Sequence, residues 1–409
     1  MSEQPGPLSG LRVVDLSTYV AGPSGTMTLA QLGAEVIRVD PIGGATDTRR
    51  LPLDAKGNSL YWIGLNKAKK SVEIDFSSPE GRELVTALIT APGPDNGIML
   101  TNAVGQGWLS YDTLRARRSD LIQVHIAGRR DSKPAVDYTV NCEVGLPFVT
   151  GPLDFDRPVN HVLPAWDLLT GMHAALAVLA AERVRRRTGE GQMVSVALAD
   201  VAVATMGHLG FVADVVVNGR GRLREGNYLY GSFGSDFPTA DGQRVMIVAL
   251  TERHWRNLVE LTGLSETIAA LERSLRVDLA AEEARYRYRE VLAALLRSWF
   301  ETRPLAEVSA ALDASKVLWG TYRTIEDLVT NPGSLLHAGD LMVEVDQPGV
   351  GRFPIPRPVL GFSGWDDGPP APAASLGENT DEVLSSVLGF DDHELGDLRA
   401  RSVIGGAGA

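Results

Sequence analysis

Short apolar runs, closely spaced and rarely alternating, mark the first two hundred positions of the chain. Leu11–Leu16 is the first of them. A small-residue turn, Ala21-Gly22-Pro23-Ser24-Gly25, and a helical pattern through Leu32 follow, and Ala34–Asp40 is a second run that ends on an acid. Strand, helix and strand in that order make a βαβ unit. Strands that are apolar along most of their length are covered on both faces, as parallel strands in α/β proteins are. Ser71–Ile74, Gly97–Thr101 and Leu121–Ala127 read as further strands, with Gly81–Ile89 a helix among them. This alternation predicts an α/β domain with a doubly wound parallel sheet. Such sheets bind ligands beyond the carboxyl ends of their strands, which directs attention to the loops Tyr19–Ser24, Asp40–Gly44, Asn102–Gly107 and Gly128–Lys133. The glycines form no GxGxxG fingerprint, so no nicotinamide cofactor is expected.

The Ala-rich stretch Met172–Ala181 reads as a buried helix opening just after Asp167. It continues through Glu182–Gly191, with arginines in its last turn and glycine as its stop. Gln192–Leu198 alternates like a strand or an extended entry into the next helix. At Asn218–Tyr230 the composition shifts to Gly, Arg, Asn and Tyr, the mark of a linker or active-site loop. A strand at Arg244–Leu250, a helix at Trp255–Thr262 and a helical, charged stretch at Leu271–Thr302 then predict a smaller α+β domain. Pro348–Pro372 should run extended, since each proline fixes φ and removes a donor; helical signals at Leu376–Leu398 close the chain. The expected division is 1–217, a large domain; 218–330, a small one with its linkers; and 331–409, a C-terminal return to the first.

A chain of 409 residues with 44% hydrophobic and 22% charged positions holds ample core for two domains. The formal charge of −12 argues against nucleic acid or an anionic membrane as partner, so an anionic ligand must be met by local cations. The lone cysteine, Cys142, excludes an internal disulfide, fits a reducing cytoplasm, and reads as a small core residue. Met1–Gly10 carries no apolar segment of a secretory signal. The apolar stretch Met193–Val217 contains Asp200, His208 and Asp214, and reads as buried helix in a soluble protein rather than a membrane span. No metal-ligand spacing occurs among the seven histidines.

Asp167 is the candidate for chemistry. It stands in His161-Val162-Leu163-Pro164-Ala165-Trp166-Asp167-Leu168-Leu169-Thr170-Gly171, at the start of the long helix. First-turn amides carry partial positive charge, which keeps a carboxylate ionised and stabilises a neighbouring oxyanion or thiolate. The alternative is an Asp N-cap, which stabilises a helix by about 1 kcal/mol. Spacing alone leaves both open.

Across nearly its whole length the chain resembles the class III CoA-transferases. The resemblance rests on Leu8–Leu16 with Ala21-Gly22-Pro23, on Leu32–Asp40, on Asp167–Gly171, on Arg187–Gln192 and on Leu376–Asp381. It implies a large doubly wound domain built from both chain ends, a small domain between them, and two subunits interlocked as a homodimer. It also implies that Asp167 attacks an acyl-CoA thioester and comes to hold CoA as an aspartyl thioester, with no metal and no prosthetic group; CoA enters as part of the substrate. Arg38 and the run Lys67–Lys70, Lys70 above all, are the implied cations for CoA, as is Arg129. Val20, Ala21, Ile74, Asp75, Asn102 and Ala103 fall where relatives touch the nucleotide. Racemases of this family carry a histidine where this chain has Val136, before Asp137, and valine cannot shuttle a proton. Asp137–Asn141, Val159–Asp167 and Gly226–Gly234 instead resemble a branch that moves CoA between the two carboxyl groups of one methyl-branched unsaturated dicarboxylic unit. Arg129, Arg130, His161 and Tyr228 are candidate holders of the free carboxylate, Asp137 lies beside the substrate, and amides of Gly226–Gly234 and those following Asp167 are candidate oxyanion donors. The rivals are CoA transfer between two separate acids and a non-catalytic CoA-binding protein.

Overall fold

The apolar runs form six strands: β1 (Arg12–Leu16), β2 (Glu35–Asp40), β3 (Lys70–Glu73), β4 (Ile98–Thr101), β5 (Ile122–Ala127) and β6 (Gln192–Ala197). The computed structural model describes residues 5–103 and 107–406. All neighbouring pairs are parallel, in the order β3-β2-β1-β4-β5-β6. Continuous apolarity has the expected cause, since helices cover both faces. Val14, Ile37, Val72 and Met99 pack on one side with Leu84, Leu88, Val383, Leu395 and Leu398. Val13, Val36, Leu100 and Val124 pack on the other with Leu29, Ala174, Ala175 and Val178. The strand order reverses between β1 and β4, and that switch point leaves a crevice at their carboxyl ends.

The helix Ala165–Thr188 begins two residues before Asp167, not after it, and places the acid inside its first turn. Gly189, in the left-handed region at φ 75°, ends it. Of its terminal cations, Arg185 is buried and donates to the Asn96 carbonyl at 2.7 Å, so it ties the helix to the loop before β4. This helix crosses the helix Ala21–Gln31 at a glycine contact. A Cβ on Gly171 would lie 2.3 Å from the Ser24 hydroxyl and 2.6 Å from the Ala21 carbonyl; one on Gly25 would lie 2.5 Å from the Gly171 carbonyl. Close approach here requires glycine on both sides, and it brings the opening turns of the two helices to one crevice.

The chain divides into two compact units. One comprises Met1–Val144, Val162–Ala213 and Leu336–Ala409; the other comprises Gly145–His161 and Asp214–Leu335. Gly145–His161 therefore leaves the large domain in which the sequence placed it. The Arg224 guanidinium holds this segment in the second unit by donating to the carbonyls of Phe155, Pro147 and Arg157, a link between distant residues that no local pattern announces. The second unit contains an antiparallel sheet of β7 (Phe233–Pro238), β8 (Arg244–Ala249) and β9 (Leu318–Thr321). Its core joins Phe233, Phe237, Ile247, Trp255, Leu296 and Phe300. The helical stretch after Leu271 breaks at Arg276, which adopts φ 56°, and again at Tyr288. In the return segment β10 (Met342–Gln347) and β11 (Gly351–Pro356) form a hairpin, so the Pro-rich stretch is paired in part; a two-stranded edge tolerates proline.

Two expectations fail on the outer surface. Cys142 is exposed rather than core, because the helix Asp137–Glu143 turns Val140 and Asn141 inward instead. Met193–Val217 is not one buried helix: it supplies β6 and the helices Leu198–His208 and Phe211–Asn218, with Val203, Val216 and Val217 exposed. Among the described residues no single helix is long and apolar enough to cross a membrane.

Candidate active site

A cavity of about 510 Å³ lies at the switch point, lined after β1 by Thr18, Tyr19, Val20 and Ala21, after β4 by Asn102, and after β5 by Ala127 and Gly128. Asp137, Tyr138, Pro164 and Asp167 complete it from the helical side, with Arg50 and Tyr61. Three of the four loops expected from the sequence thus contribute; Asp40–Gly44 does not. Val104, Gly105 and Gln106 of the third loop lie outside the described residues.

Asp167 does not cap its helix. The cap position is Pro164, and no side chain at that position accepts a bond. The first-turn amides are instead taken by Asp137, whose Oδ2 accepts from Trp166 N at 2.7 Å and from Asp167 N at 3.2 Å. Asp137 is 2% exposed, and its Oδ1 has no hydrogen-bond partner among the described residues. One acid thus supplies the capping and leaves the other free for chemistry. The amide following Asp167 is not an oxyanion donor, since Leu168 N already donates to the Pro164 carbonyl at 3.0 Å. The helix Ala21–Gln31 opens onto the cavity through Ala21, and a first-turn amide has no intrahelical acceptor.

Burial, and then the charge of Asp137, push the Asp167 carboxyl up to about 6, while Arg50 works in the opposite direction. Asp167 is therefore ionised at neutral pH but less solvated than a surface aspartate, and so more reactive.

Behind the crevice lies a buried ionic cluster that fixes the loop after β1. The Lys69 ammonium donates to Asp15 Oδ2, the Pro23 carbonyl and Asn66 Oδ1 at 2.8–2.9 Å. Burial alone would raise the Asp15 pKa, but Lys69, Arg38 and hydroxyls of Ser17 and Thr26 hold it below the ordinary range. Arg38 makes a two-pronged contact with Asp40 at 2.8 Å and reaches Asp47, and Asp47 in turn accepts from Tyr19 N at 2.9 Å. Arg38 is 1% exposed, so its donors serve this scaffold and not a nucleotide.

Several other expected contacts fall away from the cavity for comparable reasons. Ile74 is fully buried in the core of the sheet. Asp75 accepts from the amide and hydroxyl of Ser77 in the turn before the helix Pro79–Thr90. Lys70 pairs with Glu35 and Glu382 at 2.8 Å. Arg129 pairs with Asp131 and Glu143, and Arg130 with Asp200, around a different hollow. Ala103 is exposed next to the cavity residue Asn102, whose amide is spent on the Thr18 backbone. His161 and Tyr228 belong to the second unit, as do Gly226–Gly234; Tyr228 lines a hollow there with Gly226, Asn227 and Asp236. Of the expected residues, the structure brings together Val20, Ala21, Asn102, Asp137 and Asp167. It adds Arg50, Tyr61 and Tyr138, which sequence reasoning missed: Arg50 follows a 3-10 turn, and Tyr61 and Tyr138 sit in the first turns of short helices with nothing local to mark them.

Residues 8–380 match the family model described as CoA-transferase family III. The chain is 49% identical over 402 residues to the 2-methylfumaryl-CoA isomerase of Chloroflexus aurantiacus, covering 98% of each chain. It is 30% identical to the succinyl-CoA:mesaconate CoA-transferase of Haloarcula hispanica, over 84% of this chain and 87% of that one. Among solved structures, a CAIB/BAIF family protein from Brucella suis is similar with a TM-score of 0.77 and 27% identity, over 94% of this chain and all of the other.

Proposed function

Because the chain belongs to CoA-transferase family III, we propose that it moves CoA by way of Asp167, from the C1 to the C4 carboxyl of a single 2-methylfumaryl (mesaconyl) unit. The observation that carries this reading is an aspartate in the switch-point cavity, accepting no hydrogen bond from the described residues, with a second acid assigned to its helix end. An Asp167 oxygen attacks the C1 carbonyl and CoA leaves as a thiolate, forming an aspartyl-acyl anhydride. The thiolate attacks the aspartyl carbonyl of that anhydride, giving an aspartyl-CoA thioester and free mesaconate. The C4 carboxylate then attacks this thioester, CoA thiolate leaves again, and its attack on the C4 carbonyl returns Asp167 as a carboxylate. Every attacking group is anionic, so no net proton is moved. The protein's part is a dry site and donors aimed at each tetrahedral oxyanion, each donor being worth about 3–4 kcal/mol in comparable sites.

The 49% identity to a 2-methylfumaryl-CoA isomerase supports transfer within one acyl unit over transfer between two. When the protein turns over unlabelled mesaconyl-C1-CoA in the presence of labelled free mesaconate, the C4 thioester should emerge almost unlabelled. Rapid incorporation of label would reassign the protein to exchange between separate acids.

An interlocked homodimer in the cytoplasm is part of the same proposal. Leu176 at 63% exposure and Val203 at 58% are apolar positions that a second chain would cover. Light scattering should give twice the chain mass of 43.9 kDa; a monomer at micromolar concentration would remove that part of the reading.

A further inference from the structure

Among the described residues, the cavity of Asp167 is lined by two carboxylates, Asp137 and Asp167, and one cation, Arg50. Under the functional reading above, on which this inference rests, the substrate brings a third carboxylate into that space. Repulsion between like charges at short range would exclude it unless a cation answered it. Arg50 follows the 3-10 turn Thr46–Arg49. Its backbone is held from both sides, its amide donating to the Asp47 carbonyl at 3.2 Å and its carbonyl accepting from the Ser59 hydroxyl at 2.5 Å. Its guanidinium lies 4.7 Å from the centroid of the Tyr61 ring and 5.6 Å from that of Tyr19. No carboxylate of the described residues stands within ion-pair distance of it, whereas Arg38, Arg129 and Arg130 are each committed to acids. A guanidinium stacked on aromatic faces is held in place while its in-plane N–H groups stay available to a carboxylate.

We propose that Arg50 is the carboxylate clamp of this site, its guanidinium binding the end of the dicarboxylic acyl unit that does not carry CoA. The clamp serves both halves of the reaction. It holds the C4 carboxylate while C1 reacts at Asp167, and the C1 carboxylate once the freed dicarboxylate has turned round. One cation facing one nucleophile therefore suffices for a rearrangement between two ends of the same molecule, and keeps the dicarboxylate in the cavity between the two transfers.

The test compares mesaconyl-C1-CoA with tiglyl-CoA, in which a methyl group replaces the free carboxylate. Dissociation constants are measured by calorimetry at pH 8 in protein carrying Asp167→Asn, so that no turnover intervenes. With Arg50 present mesaconyl-C1-CoA should bind the more tightly. Adding Arg50→Gln should weaken it by about 10²-fold while weakening tiglyl-CoA far less, and Arg50→Lys should restore part of the difference. A parallel loss with both thioesters, an unchanged ratio, or no preference before Arg50 is altered would each overturn the clamp. The last comparison needs no Arg50 variant, so misfolding cannot obscure it. Failure of the functional reading has a separate signature, absence of the C4 thioester from wild-type reactions, and leaves the binding ratio to be judged by itself.

Discussion

Asp167→Ala protein is expected to fold, to bind CoA thioesters, and to lose turnover by a factor on the order of 10³ or more, because Asp137, the other carboxylate among the described residues that line the cavity, is 2% exposed and held by the Trp166 and Asp167 amides. Hydroxylamine added during turnover should yield a hydroxamate on Asp167 in the wild-type protein and none in the variant, as read by peptide mass. An Asp167→Ala enzyme with undiminished turnover would end the mechanism. Asp167→Asn is the finer probe, since it keeps the shape and removes the charge. The folded protein raises this carboxyl from its ordinary 3.8 to about 6, so it binds the proton more readily than the unfolded chain does. The stability that this contributes is complete below pH 3.8 and is lost as the pH rises through 6. At pH 7–8 the amide should therefore be the more stable protein, by about 1–2 kcal/mol once solvent screening is allowed for. A gain in melting temperature accompanied by loss of catalysis is the pattern of a site that stores unfavourable charge for use.

Asp137→Ala carries the second large effect. It strips the Trp166 and Asp167 amides of their acceptor in a buried place, which destabilises by about 1–3 kcal/mol. It also frees the first turn that aims the Asp167 carboxylate, and misplacement of a nucleophile by as little as an ångström lowers turnover by about 10²-fold. Asp137→Asn keeps an acceptor and should retain most of the stability. Its effect appears in the pH profile of kcat/KM. Wild-type activity should fall as pH drops below about 6, where Asp167 takes up its proton, and removing the neighbouring charge should move that limb to lower pH. If Asp137→Asn leaves the limb in place, the coupling between the two acids is absent and Asp137 is only a helix cap.

These effects bear on what would make Asp167 competent as a nucleophile. An aspartate three residues into a helix is common, and by itself means little. Here the helix opens two residues before Asp167 instead of after it, and the capping duty passes to an acid thirty positions upstream. The role left to Asp167 follows from that exchange.

The first five strands were legible to within a residue or two because burial leaves short apolar runs, the edge strand β6 showed by its alternation, and their order along the chain dictated a parallel sheet with its ligand crevice at the carboxyl ends. Asp167 was singled out through its neighbourhood to an Ala-rich helix and its resemblance to a family motif, and the structure places it in the switch-point cavity, inside the first turn of that helix and not before it. Charge was read less well. A lysine or arginine in sequence shows that a cation exists, not which anion it meets: Arg38 and Lys69 closed on Asp40, Asp47 and Asp15 inside the fold. Arg129, Arg130 and Lys70 found surface acids, and Arg50, unremarked in the sequence, was left facing the cavity. Hydrophobic burial is written in the spacing of neighbours along the chain, whereas ion pairing depends on distances between residues far apart in sequence, which only the tertiary structure fixes.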